Sequence, residues 1–274
     1  MKISVIFTTY NSPVWLEKVL WGFNAQTDGN FEVLVADDGS RDETRELIDK
    51  FRQQARFELH HIWQPDDGFQ KCRVLNKAIV AATGGYIVMT DGDCIPRNDF
   101  VAAHRQAAQP GCYLSGGYFK LPMETSKLIS QDDITSGRCF DKDWLVQHGV
   151  KSSIKLMKFT KSPFRAGLYN LLTRTNRTWN GHNASCWKED ALRVNGFDER
   201  LRYGGLDCEF GDRLVNAGIK PMQIRYKAIC IHLDHARGYA SEETWKHNRV
   251  IRDATKHNKV VATPAGIKQA GLLD

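Results

Sequence analysis

A chain of 274 residues is too long for a mini-protein and stands near the size at which one core begins to divide into two. Hydrophobic residues at 42% and charged residues at 26% exclude wholesale disorder and fibrous repetition, so a sizeable core is expected. Lys and Arg number 38 against 32 Asp and Glu, and this net charge of +6 suits anionic substrates or an anionic surface without marking a nucleic-acid binder.

The seven cysteines are an odd number with no C-x-x-C pair, which argues against a disulfide framework or a zinc ribbon and for reduced thiols in the cytoplasm. The amino terminus lacks the apolar run of a signal peptide, and no later stretch approaches the ~20 apolar residues that a membrane span needs.

Along the chain, residues 3–7 form an apolar run expected to be a buried parallel strand, with Thr8-Thr9-Tyr10-Asn11 at its carboxyl end. Ser12 as N-cap, Pro13 at the first helical position, and Leu16, Val19, Leu20 and Phe23 on one face predict a helix. Residues 31–36 predict a second strand ending in Asp37-Asp38-Gly39, and Ser40 with Glu43 has the spacing of a capping box for the next helix. A third strand over 57–63, a helix through Val74, Leu75, Ala78 and Ile79, and a fourth strand over 86–90 lead into Asp91-Gly92-Asp93.

This rhythm predicts a Rossmann-like, mostly parallel α/β sheet with helices on both faces. Three polar clusters would then share the carboxyl edge of one sheet, where open α/β sheets bind their ligands. Farther on, 112–121 and 221–233 read as strands, 144–175 holds helical patterns, one helix ends at Asn195-Gly196, and another spans 207–217 with Gly218 as its stop.

Two carboxylates flanking a glycine directly after a buried strand offer hard oxygen ligands to a divalent ion, while Gly92 admits a phosphate oxygen. With Thr8 to Asn11, Asp37 to Ser40 and Asp91 to Asp93 in that order, the chain resembles the nucleotide-sugar half of family 2 glycosyltransferases with the GT-A fold. Downstream, Trp179-Asn180-Gly181-His182-Asn183-Ala184, Asn195-Gly196-Phe197-Asp198-Glu199 and Tyr203-Gly204-Gly205-Leu206-Asp207-Cys208-Glu209-Phe210 resemble the acceptor half of chondroitin polymerase-like and β-1,4-galactosyltransferase-like enzymes.

The resemblance implies a nucleotide-sugar-binding half at 1–120, an acceptor-binding and catalytic half of the same domain at 121–240, and a C-terminal helical tail at 241–274. It implies donor contacts at Thr8, Tyr10, Asp37, Asp38, Arg73, Asp91 and Gly92, and a Mn²⁺ or Mg²⁺ site from Asp91, Asp93 and His235, with His235 favoured over His232. Acceptor contacts fall on Gly181, His182, Asn183, Gly204, Gly205 and Glu209, and the catalytic base on Asp207. Leu206 replaces the family's Glu, which Glu209 one turn away is expected to offset, and Leu75 stands where related chains often carry Arg.

The implied reaction is a single displacement with inversion, from a nucleotide diphosphate sugar, expected to be a UDP-sugar, to a glycan or lipid-linked glycan in surface polysaccharide or lipopolysaccharide synthesis. Two other readings stand beside it: a scaffold with impaired catalysis, motivated by Leu206 and Leu75, and a sugar-nucleotide pyrophosphorylase, disfavoured because no basic Gly-rich loop follows the first strand. Residues 144–188 contain no Asp or Glu, and Lys151, Lys155, Lys158, Lys161, Arg165, Arg174 and Arg177 alternate with apolar residues. That stretch fits either an anionic membrane surface met peripherally or a basic helix pair with its apolar side on the core. In the tail, residues 241–243 are expected to open a helix through Trp245, either a surface helix or a lid over the donor with Arg237 near the diphosphate.

Overall fold

The computed structural model describes residues 1–235 and 242–272. Arg237 and Ser241 lie outside the described residues. The first hundred residues form the expected series: β1 (Ile3–Thr9), α1 (Pro13–Asn24), β2 (Phe31–Asp37), α2 (Asp42–Arg52), β3 (Glu58–Trp63), α3 (Lys71–Ala81) and β4 (Tyr86–Asp91). The four strands run parallel in the order β3-β2-β1-β4. Alternation along β1 sets the two layers: Ile3, Val5 and Phe7 pack with Leu16, Phe23, Ile48 and Phe51, whereas Ile6 joins Val74, Leu75 and Ile79 on the opposite face. The register opposes Thr9 to Asp37 and Thr8 to Asp91, so the three polar clusters emerge along one edge.

Beyond β4 the chain adds β5 (Cys94–Pro96), α4 (Phe100–Ala107), β6 (Cys112–Ser115) and β7 (Gly117–Lys120), then α5 (Met123–Leu128), α6 (Gln131–Thr135), α7 (Lys142–Gln147), a 3₁₀ segment (Ile154–Phe159) and α8 (Pro163–Leu172). It finishes with β8 (Ala184–Trp187), α9 (Lys188–Arg193), α10 (Leu206–Asn216), β9 (Lys220–Gln223), β10 (Ile229–His232) and α11 (Glu242–His257). The main sheet has seven strands, β3-β2-β1-β4-β8-β6-β9, and a second sheet has three, β5-β10-β7.

The two stretches expected to be single strands are each divided between these sheets. β6 and β9 pair in the large sheet, and β7 and β10, their continuations, pair in the small one. Asn183 explains the break. Its side-chain amide is fully buried and donates to the carbonyls of Gly117 (2.7 Å) and Ala228 (3.1 Å), and its Oδ1 meets His104 Nε2 at 2.9 Å. A Cβ on Gly116 would lie 2.0 Å from Asn183 Oδ1, so only glycine lets the strand pass this group.

Helix ends in the second half follow the sequence signals: Asn195 and Gly196 adopt left-handed φ values of 65° and 67° after α9, and Gly218 follows α10 at 88°. The expected capping box does not form. α2 begins at Asp42, and Ser40 instead accepts a hydrogen bond from the Asn11 backbone N–H at 2.8 Å while its own N–H donates to Asp37 Oδ1 at 2.8 Å. Ser12, at the N-cap position of α1, also makes no side-chain cap bond. The tail is packed into the body: α11 lies against α10, and Ile267 is fully buried with Val194 and Phe197.

Candidate active site

At the carboxyl edge of the parallel strands, Asp37 and Asp38 have separate partners. Asp37 is buried and holds the Ser40 N–H with one oxygen and His61 Nε2 (2.8 Å) with the other. Asp38 receives Gln64 Nε2 at 2.7 Å and the Gln70 N–H at 2.9 Å, and burial raises its pKa. Asp37, the more deeply buried of the two, therefore shapes the loop, while Asp38 lies beside the start of α3. Tyr10 is half exposed and its hydroxyl donates to Asp66 at 2.9 Å.

Lys71, at the first position of α3, is the side chain that sequence reasoning missed. Its ammonium lies 2.8 Å from Asp91 Oδ1, and the fields of Asp207 and Asp93 also reach it. Burial works to raise the Asp91 pKa, but Lys71 overcomes it and holds the carboxylate at about 2. Thr8 donates to the same Asp91 oxygen at 3.4 Å, and Gly92 passes close to the Thr8 carbonyl. Arg73, two positions on and so about 200° around the helix, is exposed instead. Lys71 carried a readable signal: it opens a helix directly after a loop at the edge where the acids gather.

Asp93 faces two imidazoles. His235 Nε2 is 3.0 Å from its Oδ2 and His232 Nε2 is 3.8 Å, with the two rings stacked 5.5 Å apart. His232 Nδ1 donates to the Leu233 carbonyl at 2.7 Å, which leaves the lone pair of the neutral ring on Nε2, toward Asp93. Cys94 is adjacent, but burial keeps its thiol protonated. The usable donors are thus oxygen and imidazole nitrogen, and His232 belongs with His235.

Asp207 stands in the first turn of α10. Its Oδ1 is buried and accepts no hydrogen bond from the described residues. Burial is the main cause of a pKa raised to about 6; Asp91 adds to the rise and Lys71 opposes it. Gly181 lies against this carboxylate, where a Cβ would come within 2.4 Å of Oδ1. Trp179 fixes the spacing: fully buried, it packs on Phe210 of α10 at 4.9 Å, and only the bare Cα of Gly211 fits beneath it. Beyond Gly181, His182 stacks edge-on against Tyr118 at 4.1 Å, and burial lowers its pKa to about 4, so it is neutral at physiological pH.

Four expected acceptor contacts are engaged within the fold in this geometry. Asn183 is the amide at the strand breaks. Glu209 is buried and grips Arg213 through 2.9 Å and 3.1 Å contacts to Nε, with Thr255 as a third partner, so it does not take over from the Glu that Leu206 replaces. Residues two apart on a helix point about 200° apart, so Asp207 faces Gly181 and Lys71 while Glu209 faces the core. Leu206 is itself buried, as is Leu75. Gly204 and Gly205 form the left-handed entry to α10, with Gly204 beneath the Trp245 ring. Thus Trp245 packs on the loop before Asp207.

Comparison with known proteins agrees with this architecture. The model of Glycosyl transferase family 2 matches residues 4–175, well over half of the chain. Chondroitin synthase of Pasteurella multocida is 26% identical over 278 residues, covering 93% of this chain and 26% of that protein. Validoxylamine A glucosyltransferase of Streptomyces hygroscopicus subsp. jinggangensis is 28% identical over 251 residues, covering 86% of this chain and 56% of that one. The chain therefore spans between about a quarter and just over half the length of these relatives. Among solved structures, the Pyrobaculum calidifontis mannosyltransferase PcManGT in complex with GDP-Man and Mn²⁺ superposes with a TM-score of 0.59 at 21% identity, covering 94% of this chain and 62% of that one. S. aureus TarS 1-349 in complex with UDP-GlcNAc gives 0.59 at 16% identity, covering 95% and 70%. With its central mostly parallel sheet, its acidic carboxyl edge and this match, the chain belongs to glycosyl transferase family 2 and has the GT-A fold.

Proposed function

We propose that this domain transfers a sugar from a nucleotide diphosphate donor, a UDP-sugar by preference, to a hydroxyl of a glycan or lipid-linked glycan acceptor, with inversion at the anomeric carbon. The single observation that carries the reading is Asp207: a carboxylate at the sheet's polar edge whose buried Oδ1 accepts no hydrogen bond among the described residues and whose pKa is near 6, placed where Lys71 links its field to that of Asp91. An idle structural aspartate has its oxygens hydrogen-bonded; one with a buried oxygen left free and a raised pKa still below neutral, so that it is mostly ionised, suits a base that accepts an acceptor proton during attack.

The residues also fit a divalent ion. Asp93, His235 and His232 converge with Asp91 close by, and this oxygen-and-imidazole set suits Mn²⁺ or Mg²⁺ better than a thiolate site would. When bound there, the ion would offset negative charge on the leaving diphosphate. In this reading Thr8, Asp38 and Tyr10 contact the nucleotide, and the bare Gly92 lets the backbone after Asp91 pass close to the Thr8 carbonyl. On the other side, Gly181 and His182 flank the base and bound the space for the acceptor. Lys71 serves both halves. Its charge keeps Asp91 ionised and limits the rise in the Asp207 pKa that burial would otherwise cause.

With the Asp207 carboxylate serving as base, a single displacement is the simplest chemistry, and positioning supplies most of the rate. The relatives named as synthases of chondroitin support a glycan acceptor, and a role in surface polysaccharide or lipopolysaccharide synthesis is part of the proposal. All seven cysteines are free, which suits work in the cytoplasm. The deciding experiment is a panel of nucleotide sugars with Mn²⁺, read by thermal shift and by nucleoside diphosphate release with oligosaccharide acceptors. Stabilisation by one UDP-sugar, and acceptor-dependent release that Asp207→Asn abolishes, is the expected result; pyrophosphate exchange, or no donor binding at all, would overturn the proposal.

A further inference from the structure

The face of α8 is inverted relative to an ordinary amphipathic helix. Its inner side is polar: Asn170 and Thr173 supply carbonyls to Gln223 Nε2 at 2.6 Å and 2.9 Å, Asn170 Oδ1 receives the Tyr226 N–H at 3.1 Å, and Tyr169 packs on Tyr226. Of its ten residues only Ala166 is buried. Its outer side carries Phe164, Leu168, Leu171 and Leu172 at i, i+4, i+7 and i+8, with exposures of 80%, 41%, 80% and 66%. Ile154, at the head of the preceding 3₁₀ segment, is also 80% exposed, whereas Leu156 and Phe159 of that segment sink into the core. The expectation that this stretch packs its apolar side inward therefore holds for the 3₁₀ segment and fails for the helix.

Charge identifies what covers this face. Lys151, Lys155, Lys161, Arg165, Arg174 and Arg177 are all exposed around it, and no Asp or Glu occurs between 144 and 188. Lys158 alone turns inward, donating to the Tyr118 carbonyl at 2.8 Å. A second copy of the chain would bring this unrelieved positive rim against its own kind, and a nucleic acid would give the leucines no apolar contact. An anionic bilayer meets both: headgroups take the basic rim while the four apolar side chains enter the acyl boundary. We propose that α8 and the residues flanking it dock the domain peripherally on an anionic lipid surface. No helix among the described residues is long and apolar enough to cross a membrane, so the attachment is interfacial. The inference stands on exposure and charge and does not depend on the catalytic reading.

Vesicle flotation tests it, using the full chain with phosphatidylcholine vesicles and with vesicles carrying 30% phosphatidylglycerol, as generic anionic lipid. Binding is expected only to the anionic vesicles, weakening as salt rises. The double variant Phe164→Ser/Leu171→Ser changes side chains that touch little in the fold and should lose tenfold or more in partition; Lys161→Gln/Arg165→Gln/Arg174→Gln should lose a similar factor. No partition into anionic vesicles at low salt would overturn the proposal. So would partition that both variants leave unchanged, or a dimer in solution that the serine variant abolishes, which would assign the face to a second copy.

Discussion

Replacing Asp207 with Asn should remove turnover and at the same time stabilise the fold at neutral pH. In the native cleft the carboxyl titrates at about 6 against 3.8 for an ordinary Asp, chiefly through burial and secondarily through Asp91. Two units at 1.36 kcal/mol each make the ionised form about 3 kcal/mol costlier in the folded state. The sign follows from proton counts. Between pH 4 and 6 the folded protein holds a proton that the unfolded chain has lost, so wild-type stability falls as pH rises through this window and stays lowered above it. The amide does not titrate. Measured by urea unfolding in EDTA, the variant should match wild type near pH 4 and exceed it by about 2–3 kcal/mol at pH 8, or roughly 5–10 °C in Tm for a chain of this size. Turnover should drop by about 10²–10⁴, the usual contribution of a general base, while donor binding persists. A stability difference that is flat with pH would refute the burial of this charge, and near-normal turnover would refute its role as base.

Lys71→Met removes the charge that restrains the Asp207 pKa and depresses that of Asp91, so the acid limb of kcat/KM should move upward by about a unit or more, with Lys71→Arg intermediate; an unmoved limb would sever Lys71 from the site. Asp93→Ala and His235→Ala should each raise the Mn²⁺ concentration for half-maximal activity by an order of magnitude or more, and His232→Ala should do so too, since its Nε2 also faces Asp93; isothermal titration with Mn²⁺ checks this without turnover. Glu209→Gln leaves the buried Arg213 without its counter-charge and should destabilise by about 3–5 kcal/mol, seen in urea unfolding, with KM for the acceptor little changed in the folded fraction.

Much of the βα series over residues 3–91 was legible because local rules specify it. Alternation along β1 and the 3.6-residue stripes of α1 and α3 require only near neighbours, and a buried parallel strand followed by Asp37 or Asp91 places those acids at the carboxyl edge in any α/β sheet. The choice of Asp207 also came from local pattern, the family-like run from Tyr203 to Phe210. The capping box failed for a long-range reason: Ser40 met the Asn11 backbone, 29 positions away, before it could cap α2.

What the sequence determined by itself was therefore the parallel βα core, its polar edge and the family to which the motifs point. Tertiary structure alone decided which groups meet across that edge. Lys71 finds Asp91 20 positions on, His232 joins His235 beside Asp93, Asn183 splits two strands between sheets, and Glu209 turns to Arg213 instead of the cleft. It also decided that α8 turns its leucines outward, a choice that periodicity cannot make, since a stripe on a helix states which residues share a face but not what that face meets.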